Sequence, residues 1–66
     1  MATLITTPNI SGPDDFYAEL LALHADHSTE ESQAINARLI LILANHIGDR
    51  TVLRQALEAA KPKTNG

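Results

Sequence analysis

The chain has 66 residues, a formal net charge of −3 and no cysteine. A length of this order makes one domain at most and buries only about 60% of the surface that its unfolded form exposes. Without thiols, neither a disulfide framework nor a thiolate metal site can supply the missing stability, which leaves oligomerisation as a remaining route.

The beginning, MATLITTPNISGP, has neither the basic start nor the long apolar run of a secretory signal. No apolar stretch approaches the roughly 20 residues of a membrane span, so the expectation is a cytoplasmic protein with no membrane partner. Residues 1–12 read as an extended arm, because Pro8 keeps the segment out of a helix and only Leu4, Ile5 and Ile10 are apolar anchors. The first helix is expected to start at Pro13, whose fixed φ suits a first helical position, with Ser11 or Gly12 as its cap. Asp14 and Asp15 sit favourably on its dipole, and the helix should run to about Asp26.

Ser28-Thr29-Glu30-Glu31 is a capping box, and it predicts a second helix from Thr29 to about Ile47, terminated by Gly48 in a left-handed conformation. Asp49 can then cap a third helix, Arg50 to about Ala60, stopped by Pro62. Residues 62–66 are expected to be a disordered tail, so the three-helix domain spans 13–61. The short link between the first two helices makes them an antiparallel hairpin, to which a shorter amphipathic helix is added. The fold class is therefore all-α.

The second helix poses the main physical question. Leu39 to Ala44 are six consecutive apolar residues, and at about 100° per residue they leave no side of the helix for water. Only Glu31, Arg38 and Asn45, spaced by seven, form a polar stripe. The first helix offers Phe16, Tyr17, Leu20, Leu21 and Leu23, and the third offers Val52, Leu53, Ala56, Leu57 and Ala60, enough to cover only part of that surface. A second copy or another protein has to cover the rest, and a two-fold dimeric bundle centred on this helix is the simplest solution. The interface expected on this ground comprises Asn36, Leu39, Ile40, Leu41, Ile42, Leu43 and His46, with the amides of Asn36 and Asn45 fixing helix register.

Charge is segregated along the chain. Residues 1–32 carry −6 with no Lys or Arg, whereas residues 33–66 carry +3. Such polarity suits pairing between halves, either within one chain or between copies placed antiparallel. Arg50, Arg54 and Lys61 share one face of the third helix and form a possible recognition surface.

All three histidines fall on inward-facing positions. His24 and His27 at i, i+3, with His46 from the second helix, could share a metal ion, but no second carboxylate lies on that face to orient them. The plainer reading makes His24 and His46 core-edge residues with backbone or Asn partners. His46 and Asp49 could be a general-base pair, yet Asp49 is more economically a helix cap and no nucleophile stands beside either, so no catalytic residue, cofactor or metal is assigned. The turn Ile47-Gly48-Asp49 followed by a basic stripe invites comparison with a helix-turn-helix. Net acidity, Glu58 beside the stripe, and aromatic residues confined to the acidic helix argue against nucleic acid.

Asp15-Phe16-Tyr17, His24, the helix start Ser28 to Ser32, Asn36-Ala37-Arg38-Leu39 and Ala44-Asn45-His46-Ile47-Gly48-Asp49 carry a resemblance over residues 13–50. Through them the chain resembles a family of short, all-helical bacterial proteins classed only as a domain of unknown function. The resemblance implies no activity, cofactor or catalytic residue. Such proteins are often encoded near flavin-dependent aromatic hydroxylases, which implies an accessory role. Residues and resemblance together predict a small, non-catalytic, homodimeric interaction protein, with a DNA-binding helix-turn-helix and a histidine metal site as the alternatives.

Overall fold

The computed structural model describes residues 3–62, in which three helices follow one another: α1 (Pro13–His24), α2 (Thr29–Ile47) and α3 (Arg50–Ala60). There is no strand among the described residues, so the fold is all-α. Residues 3–12 form no helix, as Pro8 requires, and of the predicted tail only Pro62 is described; residues 63–66 lie outside the described residues.

The helix boundaries follow from their caps. The Ser28 hydroxyl accepts from the Glu31 backbone N–H at 3.1 Å, and the Glu31 carboxylate accepts from the Ser28 N–H at 2.9 Å, satisfying two amides that no helical carbonyl can reach. Gly48 ends α2 at φ 71°, its N–H donating to the Ala44 carbonyl. Asp49 caps α3 by accepting from the Thr51 and Val52 N–H groups at 2.9 and 3.1 Å. At α1 Gly12 stands in the cap position with φ 59° and no side chain caps the helix, so Ser11 does not have the role offered to it.

One boundary differs from the sequence expectation. α1 stops at His24 instead of Asp26, because Ala25 is extended and Asp26 takes a left-handed φ of 64°. Asp is among the few residues with a side chain that tolerate this conformation, and here it reverses the chain before the Ser28 cap.

Packing is open. Leu20 and His24 of α1, Ser32, Ile35, Leu39 and Ala44 of α2, Val52, Leu53 and Ala56 of α3, and Leu4 of the arm are half-buried, and no described residue is fully buried. The chain exposes 6134 Å², whereas a compact monomer of this mass exposes about 4,100 Å². Its radius of gyration is 14.1 Å, against about 11 Å for a compact chain of this length. The partial cover expected from α1 and α3 is thus thinner still: on α2 it reaches only Ser32, Ile35, Leu39 and Ala44.

Among the described residues two long-range hydrogen bonds hold the layout. His24 Nε2 lies 2.8 Å from Asn36 Oδ1 and ties the end of α1 to α2, while its Nδ1 lies 2.9 Å from the Leu20 carbonyl. The Leu4 N–H donates to Gln55 Oε1 at 2.7 Å and ties the arm to α3. α2 and α3, joined only by Gly48 and Asp49, are the helices that come closest together.

Candidate functional site

The widest chemical feature of the described residues is the uncovered aliphatic surface of α2. Ile40 is 64% exposed, Leu41 71% and Ile42 63%, and Leu43 and Ile47 are also exposed. These are large aliphatic side chains on a 19-residue helix whose ends are both well capped, so they are held in fixed positions on a rigid rod. Covering one Leu or Ile fully contributes roughly 1.5–3 kcal/mol, and an exposed apolar area of this extent marks an interaction surface.

The structure divides the residues expected at the interface. Ile40, Leu41, Ile42 and Leu43 are open, whereas Leu39 is half-buried and faces its own chain with Ile35 and Ser32. Asn36 is exposed and not a buried amide; its oxygen is engaged by His24, so it sets α1 against α2. His46 is exposed as well, which corrects its placement as an inward, core-edge residue: α1 and α3 do not close over the last turn of α2. Asn45 is exposed beside Arg38 on the polar stripe.

The histidines are not gathered. Among the described residues no three His, Asp or Glu side chains are grouped to hold a metal ion. Both ring nitrogens of His24 already have partners in Leu20 and Asn36. His27 lies beyond α1 with Nδ1 3.7 Å from Glu31 Oε1. The Ser28 backbone N–H, followed by the Ser28 hydroxyl and His27, holds the Glu31 carboxyl below the usual carboxylate range.

On α3, Arg50 and Arg54 are exposed and make no ion pair among the described residues, whereas Lys61 pairs with Glu58 at 3.1 Å. Two free cations therefore stand on the outer face of a short helix, next to a tethered third. Elsewhere the described residues form open hollows. One of about 580 Å³ is formed by the arm and Pro13, and one of about 160 Å³ lies between His27, Glu31, Ala34, Ile35 and Arg38. No residue lining either is buried. No helix of the described residues is long and apolar enough to cross a membrane.

With the fold and this surface in view, the comparison with known families is decisive on one point: the model of the family described as protein of unknown function DUF2783 matches residues 4–62. The chain belongs to that family. The match takes in the arm from Leu4 onward, the residue whose N–H is bound by Gln55. Membership of DUF2783 thus embraces the arm together with the three helices. No curated protein and no solved structure matches the chain. The Leu4 to Gln55 bond is the contact that sequence reasoning missed, since nothing local to either residue signals a partner 51 positions away.

Proposed function

We propose that this DUF2783 protein is a small, non-catalytic interaction protein that works as a homo-oligomer joined through α2, with Arg50 and Arg54 as an exposed recognition surface. The observation that carries the reading is the absence of any fully buried residue among the described ones, together with about 2,000 Å² of surface beyond that of a compact monomer. A standard interface buries about 800 Å² per partner, and obligate ones more. The exposed surface is therefore of the size that association consumes. An accessory role beside a flavin-dependent aromatic hydroxylase, implied by the family resemblance, is the partner reading to test first.

Sedimentation of the purified chain tests the oligomer. The expected result is a mass above that of one chain, reduced to a single chain by Ile40→Asp or Leu41→Asp, because a carboxylate buried without a partner costs several kcal/mol. A wild-type chain that remains a folded monomer at high concentration would overturn the proposal.

A further inference from the structure

Ala37, Ile40, Ala44 and Ile47 follow one another at spacings of three and four and fall within about 80° of the α2 circumference. Ile40 and Ile47 are open, Ala37 is exposed and Ala44 half-buried. The stripe therefore alternates a small residue that holds nothing away with a branched residue that stands proud. Ile42 lies on the opposite side of the helix.

We infer that the occupant of this stripe is α2 of a second copy, running antiparallel to the first about a two-fold axis level with Ile42. The inference rests on the oligomer reading and specifies its geometry. In this register Ile40 of one copy faces Ala44 of the other, and Ala37 faces Ile47, so that every layer sets a large side chain against a small one and the two helices interdigitate. Leu41 meets its own symmetry mate on one flank and Leu43 does so on the other, which brings four more exposed leucines under cover.

A parallel arrangement would set Ile against Ile and Ala against Ala, giving layers alternately too wide and too narrow. Charge separates the two arrangements in the same direction. Glu30 stands at the start of α2, and Arg50 and Arg54 follow its end. Antiparallel pairing brings the acidic end of each copy toward the basic end of the other and opposes the helix dipoles, whereas parallel pairing collects like charges.

The chain has no cysteine, so single Ala37→Cys and Ile47→Cys variants carry one thiol each and can be oxidised separately and mixed, after circular dichroism has matched their helix content to wild type. In the antiparallel register residue 37 of one copy lies beside residue 47 of the other, while the two copies of residue 37 are about 15 Å apart along the axis, beyond the reach of a disulfide, about 4.4–6.8 Å between Cα atoms. The expected result is a mixed disulfide as the main product of the mixture and no covalent dimer from either variant alone. Ile40→Cys mixed with Ala44→Cys reads the same register near its centre, should either outer variant fold poorly. Homodisulfides from each variant alone, or a wild-type oligomer with no cross-link from either pair, would overturn the antiparallel register and leave the oligomer reading standing. A monomeric wild-type chain would overturn both.

Discussion

Ser28 and Glu31 show how much one exposed pair can decide. Each satisfies the other's backbone amide, and between them they start the longest helix of the molecule. Replacing a capping Ser by Ala costs about 1 kcal/mol, so Ser28→Ala should lower the thermal midpoint by roughly 4–8 °C, as read by circular dichroism. The same pair sets a pH dependence. The Glu31 carboxyl is held below its ordinary 4.5 in the folded chain, so its contribution to stability is fully present above that value and is lost as pH falls through the lowered one. Thermal midpoints measured in acid should therefore decline below pH 4.5 in the wild type, and decline less in Glu31→Gln, which has no carboxyl to titrate. An equal decline in both would show that Glu31 is not the group responsible.

Among the elements, α2 and α3 depend on a two-residue joint. Gly48 takes φ 71°, and a Cβ there would come no closer than 3.7 Å to the Asn45 carbonyl oxygen, so space is not the constraint. The left-handed backbone is, at roughly 1–2 kcal/mol for a residue with a side chain. Gly48→Ala should lower stability by about that amount in a urea titration, without loss of helix content in α2. α1 is held differently, by the His24 to Asn36 hydrogen bond and a few half-buried side chains. A double-mutant cycle with His24→Ala and Asn36→Ala should return a coupling of about 0.5–1.5 kcal/mol, the range for a typical intramolecular hydrogen bond. A coupling of zero would mean that apolar contact alone seats α1.

Taken as a whole, the molecule has stable helices and almost no interior. Its extents of 40 × 35 × 23 Å belong to an arm and three rods spread around a thin seam, and a rod whose sides are aliphatic is stabilised by whatever covers it. If a second copy does so, mass action requires the thermal midpoint to rise with protein concentration; a midpoint constant over a hundredfold dilution range would count against self-association. Arg50 and Arg54 take no part in the seam. Reversing both to Glu should leave helix content unchanged, since exposed charges contribute only about 0–1 kcal/mol. Association should nevertheless slow, most at low salt, where steering by charge is strongest. Duplex DNA should show no salt-dependent binding at physiological ionic strength, and a tight gel shift abolished by the same two changes would restore the helix-turn-helix reading.

Pro13, Ser28, Gly48 and Asp49 act through atoms no more than four residues away, which is why the ends of α2 and α3 and the start of α1 could be placed from residue order alone. The run Leu39 to Ala44 announced in the same way that this chain cannot shield its own second helix, because a rod apolar on all sides needs neighbours on all sides. The early end of α1 depended on Asp26 adopting a left-handed turn, a choice made by where the chain had to go next. The backbone or Asn partners expected for His24 are found in Leu20 and Asn36, but which Asn it meets, the exposure of His46 and the anchoring of Leu4 on Gln55 depended on how far apart the helices stand. Those separations come from side chains meeting across long stretches of chain, and no local pattern encodes them. Periodicity tells which sides of α2 are apolar; only the placement of α1 and α3 in space decides that Leu39 is half covered while Ile40, Leu41 and Ile42 stay open.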